Sequence, residues 1–102
     1  MEPKHMDDLI AVNEFCVNYN IEISFLNLLK QNGLVEICTI ESKYFIEKEQ
    51  LPQLEKFVRF YYDLDINLEG IETITYLLQR IETLQNEIIR LKNRLRFYEP
   101  HG

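Results

Sequence analysis

The chain has 102 residues, 46% of them hydrophobic and 12% aromatic, enough for one small core. It carries 17 acidic against 11 basic residues, and residues 1–50 alone hold nine acids and four bases, a lobe that repels phosphate backbones and so disfavours nucleic acid as a partner. No apolar run reaches membrane-span length and no signal pattern opens the chain, which predicts a cytoplasmic protein without a membrane role.

Residues 1–8 read as a flexible polar tail. Leu9, Ile10 and Val12 open an ordered segment, for which a short extended stretch is one reading. Asn13 is expected to cap a short helix to about Asn18, with Phe15 and Cys16 turned inward. Tyr19–Asn20 suits a turn, because Asn tolerates the left-handed backbone. Ser24 is the expected cap of a second helix containing Phe25, Leu26, Leu28 and Leu29, and Asn32–Gly33 supplies its stop. Two short helices joined by a turn form a helix-turn-helix. After Gly33 the apolar residues alternate at Leu34, Val35, Ile37, Thr39 and Ile40, and again at Tyr44, Phe45 and Ile46 beyond a polar interval, which predicts a small β-hairpin and hence a winged helix. Leu51-Pro52 starts a further helix with Leu54, Phe57, Val58, Tyr61 and Leu64 on one face. Its end, Asp63–Asp65, opposes the macrodipole preference, so packing is expected to fix it.

Asn67 should cap the last and longest helix, and Gly70 in its first turn permits close approach. The apolar residues then form a heptad seam, with Ile74, Ile81, Ile88 and Leu95 at position a and Leu77, Leu84, Leu91 and Tyr98 at position d. Ile at a and Leu at d favours two strands, so residues 67–99 are expected to form a long coiled-coil dimerisation helix, after a winged-helix lobe at 9–66. Position e is apolar at Ile71 and Leu78 but polar at Gln85, Lys92 and Glu99, so the first two or three turns should pack on the chain itself and the rest should self-associate. A parallel pair would set Glu87 against Lys92 and Arg94 against Glu99, whereas an antiparallel pair could set Arg80 near Glu87; the sequence leaves both open. The alternative, an intramolecular hairpin, needs a covering helix longer than the earlier ones.

Catalytic and metal chemistry find little footing. Cys16 and Cys38 sit in apolar segments without a His or second Cys at metal spacing, so reduced buried thiols are expected, a disulfide between them being the lesser alternative. There is no phosphate-binding glycine loop, no nucleophile motif, and both histidines, His5 and His101, are terminal. The reading is of a protein that is not an enzyme, with no metal and no cofactor.

The run IEISFLNLLKQNGL, Ile21–Leu34, resembles the second helix and Gly-Leu exit of MerR-type winged helices, and DLDINLEGIETITYLL, Asp63–Leu78, the start of their dimerisation helix. With EFCVNYNIEISFLNLLKQNGLVEI and LQNEIIRLKNRLRFYE added, the chain after about Leu9 resembles more closely the MerR-like chaperone modulator CbpM family. That resemblance implies binding to the J-domain of a DnaJ-like co-chaperone of CbpA type and inhibition of its cooperation with DnaK; an acidic partner could occlude a basic J-domain surface. DNA-binding MerR regulators carry arginines in a pattern like S-x-R-T-I-R-Y-Y-E; aligned through Gly33, those positions fall on Ser24 and Asn27, and the tyrosines on Leu28 and Leu29. Only Lys30 is basic on this helix and only Lys43 in the hairpin, so direct DNA binding as a dimeric MerR-family transcription regulator is the alternative and the less favoured reading. MerR metal sensors place cysteines near the end of the long helix, and here none follows Cys38. Glu14, Glu22, Glu36 and Glu41 are the candidate acids at a partner interface. Tyr19 and Tyr44 are its candidate aromatic anchors, ahead of Tyr61, Tyr62 and Phe97.

Overall fold

A computed structural model describes residues 6–98 of the chain, which divides into two compact units, Met1–Ile71 and Glu72–Gly102. His5, Glu99, His101 and the first five residues of the predicted tail lie outside the described residues. The elements run β1 (Leu9–Ala11), α1 (Val12–Tyr19), α2 (Ile23–Gln31), β2 (Cys38–Ile40), β3 (Lys43–Glu47), α3 (Leu51–Val58) and α4 (Leu68–Tyr98), with a 3-10 turn at Met6–Asp8 and another at Lys48–Gln50. The fold is mostly helical with a small antiparallel sheet, as the sequence implies.

The predicted hairpin is extended to three strands in the order β1-β3-β2. Ala11 and Cys38 both lie opposite Phe45, and Ile10 lies opposite Ile46. Glu41 and Ser42 alone join β2 to β3, both at positive φ (51° and 66°), the primed geometry that matches strand twist but that usually takes Asn and Gly. The hairpin is also shorter than the alternation from Leu34 suggests. Leu34 N–H is taken by Leu29 O (2.9 Å), and the Gln50 amide bonds both backbone groups of Glu36 at 2.9 Å, so this stretch has no ladder partners to spare.

Helix ends follow the sequence at most of the expected points and depart from it at two. Asn20 is left-handed (φ 55°), and Gly33 (φ 73°) closes α2 through Gly33 N–H to Lys30 O and Leu34 N–H to Leu29 O. Asn67 Oδ1 accepts the Gly70 N–H at 2.8 Å, and a Cβ on Gly70 would sit 2.7 Å from Ile66 Cγ2. Asn13, in contrast, is no cap: β1 runs straight into α1, leaving Ala11 at the boundary and Asn13 one residue inside the helix. Ser24 is likewise inside α2, and its hydroxyl donates to the Glu22 carboxylate (3.1 Å), not to the role the sequence assigns it.

The core of the first unit gathers Phe15, Cys16, Phe25, Leu26, Leu29, Ile46, Leu54, Phe57 and Ile71. Cys16 is buried, Cys38 half-buried, and both are free thiols. After Val58 the helix widens into a π-helical turn at Arg59–Asp63, where Leu64 N–H reaches Arg59 O. The wider turn rotates the apolar face, so Leu64, expected on the core side, is 61% exposed while Leu54 and Phe57 are buried. Asp65 then turns the chain at φ 53°.

Candidate partner-binding surface

Helix α2 buries Phe25, Leu26 and Leu29, which turns Ile23, Asn27 and Lys30 outward on one face, spaced i, i+4, i+7. These three residues form one wall of a cleft of about 740 Å³. The wing contributes Lys43, Tyr44 and Phe45, with Ile37 just before it, and Val12 and Asn13 at the start of α1 line the cleft as well. Ile23 is 46% exposed and Tyr44 57%, so apolar surface faces solvent there. Among the described residues none lining the cleft is acidic, and neither Lys30 nor Lys43 forms an ion pair. The sequence pattern does not predict the cleft; an outward-facing Ile23 beside Asn27 and Lys30 is the signal it offers.

The candidate residues for a partner do not converge on one site. Glu14 is exposed on α1, and Glu22 precedes α2, its N–H donating to the Tyr62 hydroxyl (3.2 Å). Glu41 stands in the wing turn. Glu36 joins Glu47 and Glu49 around a shallow depression beside Gly33 and Gln50. Tyr44 belongs to the cleft. Tyr19 is engaged within the unit: its hydroxyl donates to Glu55, and its ring stacks on Phe15 with centroids 4.5 Å apart. Hydrogen bonding to Glu55, then burial, then the Glu55 charge raise its pKa above the usual phenol value, and burial raises that of the Cys16 thiol. Tyr61 and Tyr62 pack around Phe25, with centroids at 4.4 and 5.4 Å.

On α4, Ile74 is half-buried, while Leu77, Ile81, Leu84, Ile88, Leu91, Leu95 and Tyr98 are exposed along the predicted seam. Leu78 is exposed too, as is Phe97. Glu87 pairs within the helix with Arg90 (2.9 Å), and Arg80 donates to the Tyr76 hydroxyl (3.2 Å). Among the described residues no group of three or more His, Cys, Asp and Glu is placed to hold a metal ion, and no helix is long and apolar enough to cross a membrane.

A helix-turn-helix with a β-wing, followed by a long helix, defines a winged helix-turn-helix protein. The family model described as MerR HTH family regulatory protein matches residues 10–93. The chain belongs to the MerR helix-turn-helix family of regulatory proteins. No curated protein and no solved structure gave a match.

Proposed function

We propose that this chain is a dimeric protein-binding modulator on a MerR-like frame: it binds the J-domain of a DnaJ-like co-chaperone of CbpA type and inhibits that co-chaperone's cooperation with DnaK. One observation carries the reading. The positions that hold arginines in DNA-binding relatives are Ser24, bonded to Glu22, and Asn27, which lines the cleft. A surface that neutralises so few phosphates forgoes most of the sequence-independent part of DNA affinity. The exposed acids Glu14, Glu22, Glu36 and Glu41 instead suit a basic partner, and charge complementarity of this kind sets encounter rate and specificity. Self-association through Ile74, Leu77, Ile81, Leu84, Ile88, Leu91, Leu95 and Tyr98 completes the proposal, since a second copy of the same seam would cover them.

The reading is tested by calorimetry with a purified J-domain. Glu14→Lys with Glu41→Lys should weaken binding about tenfold and flatten its salt dependence, because both side chains are exposed and neither supports the core. Unchanged affinity at low salt would remove the electrostatic part of the proposal. A second reading, a transcription regulator binding DNA as a dimer, is favoured by family membership and by the outward Lys30 and Lys43. Capture from a bacterial lysate separates the two: a DnaJ-like protein released by salt supports the first, and enriched specific DNA the second.

A further inference from the structure

The cleft between α2 and the wing differs in sign from the acidic first unit that contains it. The chain has a net charge of −6, yet among the described residues the charged groups lining this cleft are Lys30 and Lys43, and neither is paired. Unpaired cations over an acid-free lining favour an anionic visitor. Ile23, Ile37, Tyr44 and Phe45 add apolar surface that solvent reaches, and Asn13 and Asn27 bring side-chain amides able both to donate and to accept. Its volume of about 740 Å³ is ample for several side chains entering together.

We propose that this cleft docks a short acidic segment of a partner protein, whose apolar side chains enter between Ile23 and Phe45 while its carboxylates meet Lys30 and Lys43. The amides of Asn13 and Asn27 would satisfy its backbone. Duplex DNA is the poorer occupant. Interfaces with DNA are polar and strongly cationic, whereas this lining is largely apolar with two lysines, too few to release more than about two counterions. The inference stands apart from the J-domain reading, which concerns the acidic exterior and a basic partner.

The test pans phage-displayed random 12-residue peptides on the 102-residue chain. Enriched sequences should combine Asp or Glu with Leu, Phe, Tyr or Trp. The most enriched one, made with a fluorescent label, should bind at least tenfold more weakly to K30E/K43E, and Asn27→Trp, which fills the cleft from the exposed face of α2, should abolish binding. All three positions are exposed, so thermal melts by circular dichroism should match wild type and separate lost binding from lost fold. Neutral or basic enriched sequences, no enrichment, or affinity indifferent to these substitutions would overturn the proposal. So would displacement of the peptide by random-sequence duplex DNA on wild type but not on K30E/K43E, which would make the cleft a nucleic-acid surface.

Discussion

In the first unit, Phe15, Leu26, Leu29, Ile46, Leu54, Phe57 and Ile71 come from different helices and one strand, and each is at most 1% exposed. On α4 the same residue types, Leu77, Ile81, Leu84, Ile88, Leu91 and Leu95, are each between 46% and 55% exposed. The contrast lies in what each pattern can close. Short amphipathic elements that cross one another can enclose each other's apolar faces. A single straight helix cannot enclose its own stripe, because residues three and four apart lie beside one another and never opposite. A seam repeated every seven residues is therefore complete only when a second seam faces it, and the proposed dimer supplies that second seam from an identical chain.

The largest effect should come from attacking that seam. Ile88→Asp removes about 1.5–3 kcal/mol of side-chain burial per copy and sets a carboxylate in the apolar interface, twice in a symmetric pair. Sedimentation should show a monomer over micromolar concentrations, with the thermal transition of the first unit kept. A variant that still sediments as a dimer would place the interface elsewhere. The converse substitution, Phe57→Ala, should cost about 3–5 kcal/mol of stability by denaturant titration, because the ring is buried and leaves a cavity. At temperatures where Phe57→Ala remains folded, its association should match wild type.

Sequence encodes the two regions with the same division. Local instructions were readable wherever one residue type has a distinctive backbone or capping property: Asn20 and Gly33 at positive φ, Pro52 in a first turn, Asn67 as a cap, Gly70 at a close approach. The misses are places where a neighbour decides. Asn13 and Ser24 could cap, but β1 runs straight into α1 and sets its start before Asn13, while Ser24 lies inside α2 and its hydroxyl goes to the Glu22 carboxylate. The alternation at Leu34–Ile37 looked like strand, yet Gln50, fourteen residues beyond Glu36, claims the backbone there. The π-helical turn at Arg59–Asp63 shifts Leu64 outward, and no periodicity of 3.6 anticipates that. Of the candidate site, the seam was legible as a pattern; the cleft was not, because its walls lie on α2 and a wing brought together only by folding.

Smaller effects test the junction where α4 begins. Asn67→Ala should cost about 0.5–2 kcal/mol, since the Gly70 N–H loses its acceptor. Gly70→Ala should also destabilise, despite the better helix propensity of Ala, which favours it by up to about 1 kcal/mol. The new methyl would meet Ile66 Cγ2 at 2.7 Å and Asn67 Oδ1 at 3.1 Å, and a β-branched side chain packed on the core yields poorly. Equal or higher stability of Gly70→Ala by urea titration would show that Ile66 moves freely.

The smallest effect asks whether the first unit is closed by polar contacts as well as by its core. Tyr19 on α1 donates to Glu55 on α3, a link between elements, whereas the pairs Glu87–Arg90 and Tyr76–Arg80 on α4 join residues of one helix. Tyr19→Phe keeps the stack on Phe15 and removes only the hydroxyl, so it should cost about 0.5–1 kcal/mol at neutral pH. The pH dependence fixes the cause. Because the folded pKa of Tyr19 is raised, the contribution is complete below the ordinary phenol value of about 10 and is lost as pH rises through the higher folded value. Urea titrations of wild type and Tyr19→Phe should therefore differ by a constant amount from pH 7 to 9, and the gap should shrink above pH 10, where an ionised Tyr19 would face the Glu55 carboxylate. A gap that persists unchanged above pH 11 would mean that the hydroxyl acts through packing alone and that Glu55 is not its partner.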